Sequence, residues 1–296
     1  MDMYTEMHTG ADWQVSPLSS LQVPIAPDAA DQPTFGIFGS EVTRYEVILQ
    51  RHPRQYQAWF GRGIMLQKSG AYLEAILSFR QGLALKPNCV DAWQRLGICQ
   101  GELGEHLEAL ESFNQVIKLS PSDYRGWHNR GKVLMLRCDY EAALNHFLRA
   151  AQLKPKNYKA WYNHGMCLEA LNRPQDALKS FERALRINPK CYYAWNAKGH
   201  VLGKRKQFDL AIAAFEQSLQ LRPYNFAAWY GKATCYARQG YVVAAISSLD
   251  QAIQYAPNLG RLMAQGDQSF NEIRHENAFK ALWKEDSFTR LSHSRL

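Results

Sequence analysis

The chain has 296 residues, 46% hydrophobic and 21% charged, with a formal net charge of +8. These proportions belong to a globular chain rather than a fibrous or low-complexity one, and no apolar run approaches the roughly 18 residues that a membrane span requires. The sequence holds no phosphate loop, no HExxH, no nucleophile elbow and no paired carboxylates placed independently of its repeats, so no enzymatic activity, no cofactor and no metal are expected.

In chain order, residues 1–39 come first, rich in Pro, Ser, Ala and Asp, with no Lys or Arg before Arg44. They read as a disordered or extended acidic arm. A segment so lacking in positive charge is wrong for a secretory signal, and the cytoplasm is the expected compartment. The arm is long enough to fold back and gate a basic surface elsewhere. Residues 40–55 follow, with "SEVTRYEVILQRH" closed by Pro53, and predict a capping helix.

From residue 56 the chain repeats itself. Trp59, Trp93, Trp127, Trp161, Trp195 and Trp229 are spaced by 34 residues, and Gly63, Gly97, Gly131, Gly165 and Gly199 follow the first five at one offset, with Ala233 in the sixth place. Ala75, Ala109, Ala143, Ala177, Ala211 and Ala245 keep the same period, as do Phe79, Phe113, Phe147, Phe181 and Phe215, with Leu249 last. Pro53, Pro87, Pro121, Pro155, Pro189, Pro223 and Pro257 punctuate the series. Trp161, Gly165 and Leu168 share one helical stripe, and Ala177, Phe181 and Ala184 share a second after a break at Asn172 to Pro174. Each unit is therefore predicted to be a helical hairpin. A Gly inside a helix costs about 0.8–1 kcal/mol relative to Ala, so close packing of the hairpin must recover the loss. A single hairpin cannot bury its own apolar face, which makes stacking obligatory and predicts an all-α solenoid.

These columns resemble the tetratricopeptide repeat family. The resemblance implies six units, 56–89, 90–123, 124–157, 158–191, 192–225 and 226–259, and a protein-binding scaffold or adaptor that is not an enzyme. After Pro257 the columns lapse, and one or two further capping helices are expected over 260–286, then a flexible tail over 287–296. There Asp267, Phe270, Ile273, Arg274, Phe279 and Leu282 resemble the C-terminal cap of cyanobacterial members of the family. That likeness implies assembly or tethering around photosynthetic membrane complexes or pigment-synthesis enzymes, with membrane association only through a partner or the stretch around Trp283.

Six cysteines show no CxxC spacing; Cys99, Cys167 and Cys235 share one repeat column and Cys89 and Cys191 another, so repeat phase reads them as small packing residues. His128, His164 and His200 occur in successive units but at different positions, pointing different ways, with no acidic partners expected nearby.

In the family, positions 2, 5, 9 and 12 of the first helix line a concave groove. Here that implies Arg125, His128, Asn129 and Lys132 in the third unit, Lys159, Tyr162, Asn163 and Met166 in the fourth, and Tyr193, Asn196 and His200, with Lys204 one place beyond, in the fifth. The first two units offer Phe60, Ile64 and Ile98. Units three to five hold 18 Lys and Arg against 7 Asp and Glu, whereas units one and two hold 6 against 7. A groove that turns from apolar to basic suits an acidic peptide or protein segment, steered by charge. The bland alternative is that the cations are solvated, as Lys179, Arg183 and Arg186 on a second helix are expected to be. The carboxylate clamp of some family members is incomplete, because Gln94, Ile98 and Asn163 stand where Lys, Asn and Arg are needed. RNA binding by a helical-repeat fold remains the rival reading of the net charge. The sequence leaves the oligomeric state open.

Overall fold

The computed structural model describes residues 35–283, with side chains from residue 39. Helix α1 (Phe35–Arg51) is followed by helices that alternate between 13 and 14 residues: α2 (Tyr56–Lys68), α3 (Tyr72–Leu85), α4 (Val90–Glu102), α5 (His106–Leu119), α6 (Tyr124–Leu136), α7 (Tyr140–Leu153), α8 (Tyr158–Ala170), α9 (Pro174–Ile187), α10 (Tyr192–Lys204), α11 (Phe208–Leu221), α12 (Phe226–Arg238) and α13 (Val242–Tyr255). The chain closes with α14 (Pro257–Gly266), a 3₁₀ turn at Gln268–Phe270 and α15 (Asn277–Ala281). Among the described residues there is no strand. The architecture is all-α, of the solenoid class. Helix α1 begins ahead of the Ser40 start expected from sequence; the rest of the acidic arm, its gating role and the 287–296 tail fall outside the described residues.

The chain divides into two compact units, Met1–Cys167 and Leu168–Leu296. In the first, α1 packs on α2, α2 on α3, α3 on α4, and so on to α7, with α2, α4 and α6 as successive neighbours. In the second, α9 packs on α10, α10 on α11, α11 on α12 and α12 on α13, with α10 beside α12.

The repeat columns explain the packing. The Ala column is fully buried in every hairpin, and so is the Phe column. A Cβ built on Gly63 would come within 2.9 Å of Phe79, on Gly97 within 2.8 Å of Phe113, on Gly131 within 3.0 Å of Phe147 and on Gly199 within 2.7 Å of Phe215. The helical Gly therefore makes room for the ring of the facing helix. In the last hairpin the two columns change together, Ala233 facing the smaller Leu249 within one buried cluster. The Trp column also carries a polar contact. The indole Nε1 of Trp59, Trp93, Trp127, Trp195 and Trp229 donates at 2.7–2.9 Å to the carbonyl of the Pro six residues earlier. Each of these Trp residues thus ties the start of its helix to the preceding turn.

One turn position has positive φ in every hairpin: Gly70, Gly104, Cys138, Asn172, Lys206 and Gly240. This explains Cys138, which is exposed and departs from the packing role expected of the cysteines, whereas Cys99, Cys167, Cys191 and Cys235 are buried free thiols. A left-handed conformation costs an L-residue roughly 1–2 kcal/mol. Lys206→Gly should therefore stabilise the chain by about 1 kcal/mol, read as a higher urea midpoint at unchanged slope.

Helix α1 stands in the place of a second helix. Arg62 reaches Glu46 on α1 at 2.8 Å, and the same 16-residue spacing pairs Lys198 with Glu182 at 3.1 Å and Lys232 with Glu216 at 2.8 Å. At the other end, Phe270, Ile273, Phe279 and Leu282 bury themselves against Tyr230, Ala233 and Leu249 of the last hairpin. The Tyr230 hydroxyl donates to Asp267 at 3.0 Å, and Arg274 donates to the Asp267 carbonyl at 3.0 Å. The Trp283 ring packs tilted against Phe279 with ring centres 4.8 Å apart. The whole C-terminal string serves to cover the open end of the repeats.

Candidate functional site

Helices α4 and α6 lie side by side in the first unit, and with the beginning of α8 they bound a groove of about 400 Å³. Its walls come from the repeat columns: Asp91, Arg125 and Lys159 from position 2, Gln94 and His128 from position 5, Ile98 and Lys132 from position 9, with Arg95 and Asn129 between them. The volume falls within the range of ligand clefts. One acidic residue among these faces four cations, Arg95, Arg125, Lys132 and Lys159.

The groove therefore gathers Arg125, His128, Asn129, Lys132 and Lys159 from the sequence expectation. It adds Asp91 and Gln94, which stand at positions 2 and 5 of the second unit but are not among the expected site residues, and Arg95, which stands at position 6. Gln94 is only 6% exposed, and its Oε1 has no hydrogen-bond partner. An amide oxygen left unpaired at such depth is costly unless something else donates to it.

Arg125 differs from its expected role. Its Nε and Nη2 fork onto the Asp123 carboxylate at 2.8–3.1 Å, its own backbone amide donates to Asp123 at 2.9 Å, and Nη2 also reaches Asp91 at 3.0 Å. Hydrogen bonding to Asp123 holds the guanidinium firmly charged. Burial alone would raise the Asp123 carboxyl, but the hydrogen bonds from Arg125 outweigh it and keep the group below the usual carboxylate range. So this arginine arrives in the groove already paired.

Tyr162, Asn163 and Met166 are not among the residues that line that groove. Tyr162 and Asn163 are each 8% exposed, so little of either meets solvent, and Met166 is half-buried. In the second unit Tyr193 packs edge-on against Tyr192. The Asn196 Oδ1 is buried without a partner. His200 and Lys204 both converge on Glu169 Oε1, at 3.0 and 2.9 Å. Burial would raise Glu169, yet these two partners hold its carboxyl low. This corrects the expectation that His200 lacks an acidic neighbour: the pair spans 31 residues, joining the end of one hairpin's first helix to the next.

His146, which the repeat columns do not single out, is strongly perturbed. His146 on α7 lies beneath the Trp127 ring, with centroids 5.4 Å apart, and its Nε2 accepts from Arg130. Burial first, and the Arg130 charge second, push it down to about 4 from an ordinary 6.5. The folded value lies below the unfolded one, so the stability given by the neutral ring is present above about pH 6.5 and is lost as the pH falls toward 4. Ser78, Ser112, Ser180 and Ser248 occupy the equivalent place in other hairpins, and Arg62 donates to Ser78 at 2.8 Å where Arg130 meets His146. His146→Ser should flatten the loss of stability between about pH 7 and pH 4.5, measured by urea unfolding at each pH.

Models of the tetratricopeptide repeat match residues 42–88, 124–157, 158–191 and 196–259, together well over half of the chain. A model of the protein prenyltransferase alpha subunit repeat matches residues 106–137, which are α5 and α6, the second helix of one hairpin and the first of the next. No curated protein sequence matches the chain. Among solved structures, YrrB, a repeat protein described as having an unusual peptide-binding site, is similar at 22% identity and TM-score 0.53, over 63% of this chain and 97% of that one. PilF of Pseudomonas aeruginosa is similar at 21% identity and TM-score 0.61, over 74% and 96%. The Cut9–Hcn1 hetero-tetramer of the APC/C gives 19% identity and TM-score 0.60, over 84% of this chain and 47% of that one. At these identities the likeness is one of fold.

Proposed function

The chain belongs to the tetratricopeptide repeat family, and from that premise we propose that it is a non-enzymatic interaction scaffold whose first unit takes an acidic peptide or protein segment into the groove between α4, α6 and α8. The observation that carries this is the lining itself: four cations against one lining carboxylate, with Arg125 among them held by two aspartates, Asp123 and Asp91. An acidic segment supplies carboxylate side chains for the cations. Steering by the field around Lys159 raises the association rate and makes affinity fall with salt, whereas Lys132, only 7% exposed, adds charge from the groove floor.

The test is a titration of the full chain with fluorescein-labelled hexaglutamate and hexalysine peptides, read by anisotropy at two salt concentrations. Hexaglutamate should bind, weaken with salt, and weaken about tenfold in Lys159→Glu, a reversal of one rim charge. Equal binding of both peptides, or no effect of Lys159→Glu, would sink the acidic-segment reading. A labelled single-stranded RNA in the same assay separates the RNA-binding alternative, which needs the RNA to win over hexaglutamate.

A narrower role, assembling or tethering photosynthetic membrane complexes or pigment-synthesis enzymes from the cytoplasm or peripherally at a membrane, draws on the C-terminal likeness alone. Asp267, Phe270, Ile273, Arg274, Phe279 and Leu282 all serve the cap, so that string supports a shared way of ending the repeats more than a shared partner. Among the described residues no helix is long and apolar enough to cross a membrane.

A further inference from the structure

We infer that Asp91 is a built-in competitor for the groove: its carboxylate holds on Arg125 the place that a carboxylate of the acidic partner takes on binding. The inference rests on the acidic-segment reading of the same groove and adds what sets its selectivity.

The two aspartates on Arg125 are held very differently. Asp123 is fixed from three sides, by Nε, by Nη2 and by the Arg125 backbone amide, and its side chain is 12% exposed. It is part of the turn that starts α6, where it caps the helix. Asp91 comes from the equivalent position one repeat earlier, makes a single contact at 3.0 Å through Nη2, and leaves its side chain 73% exposed. An exposed, single-contact ion pair of this kind is weak and easily exchanged. A partner carboxylate arriving on the guanidinium can replace Asp91 without disturbing Asp123, and so without disturbing the helix start. Charge-assisted and bidentate pairing favours a full carboxylate over a neutral amide or hydroxyl at that place.

The position has a direction. Along position 2 the side chains run Asp91, Arg125, Lys159, one acid followed by two bases at 34-residue spacing, all lining one groove. A ligand carboxylate that pairs with Nη2 must displace the first. Weakly acidic or neutral segments gain too little to do so, and Asp91 therefore works as a threshold on the charge of what enters.

A double-mutant cycle tests this with the hexaglutamate probe on the full chain, with helicity checked by circular dichroism. Asp91→Asn should tighten binding about three- to fivefold, the reach of an exposed pair. In an Arg125→Gln background the same substitution should bring no gain, because there is nothing left to compete for. An equal gain in both backgrounds would mean a general charge effect and overturn the inference. So would unchanged affinity in Asp91→Asn while Lys159→Glu still weakens binding, an outcome that leaves the groove reading standing. Absence of any hexaglutamate binding would overturn both.

Discussion

Phe113→Ala should destabilise the chain by about 3–5 kcal/mol, the cost of emptying a large buried site. Phe113 is 1% exposed and its ring fills the space between α4 and α5 that Gly97 leaves open. The more telling result is the pair. Gly97→Ala adds one methyl that would sit 2.8 Å from the ring, and overpacking of that size costs about 1–3 kcal/mol, which outweighs the roughly 1 kcal/mol by which Ala is the better helix residue. In a Phe113→Leu background the methyl has room, and Gly97→Ala should turn neutral or stabilising. The sixth hairpin already carries that combination in Ala233 and Leu249. Urea unfolding of the four variants reads the coupling, and additive free energies would show that the two columns are independent.

Phe270→Ala is expected to cost a comparable amount, about 3–5 kcal/mol, though the residue lies beyond the last repeat. Phe270 is fully buried, edge-on to Tyr230 at 5.8 Å and tilted against Phe279 at 6.0 Å. It stands where a seventh hairpin would otherwise cover Tyr230, Ala233 and Leu249, and terminal repeats need such a cover. The loss should concentrate at this end: hydrogen exchange should speed up in α12 and α13 and stay unchanged in α2 and α3. Uniform acceleration would contradict a local capping role.

What was legible in the sequence follows from what holds each residue in place. The Trp, Gly, Ala and Phe columns are fixed by contacts inside a hairpin, so they recur at 34 residues and give the succession of two helices per unit. The cap was legible as a change of pattern, because its residues answer to the last hairpin alone. The groove was legible in part. Position numbering puts Arg125, His128 and Lys159 on one wall, but nothing in it says that Asp123 and Asp91 already hold Arg125, since those bonds depend on rotamers and on a neighbour two or 34 residues away. A signal did exist: an acid and a base in successive places of one column predict an inter-repeat pair, and Asp91 and Arg125 form one. The Glu169 pair to His200 and Lys204 crosses columns, from position 12 to positions 9 and 13, so column reading overlooked it. Tyr162, expected on the groove wall by the same numbering that places Arg125 there, and its neighbour Asn163 are buried.

The central claim is that partners enter through the first-helix wall of the first unit. A photo-crosslinking amino acid placed singly at Ile98 and Asn129, both in the groove, and at Leu77 and Leu107, both strongly exposed on the second helices α3 and α5, tests it most directly in cells that make the protein. The account predicts one common adduct from Ile98 and Asn129, rich in Asp and Glu at the crosslinked peptide and missing from Leu77 and Leu107; adducts formed only from the two leucines would contradict it.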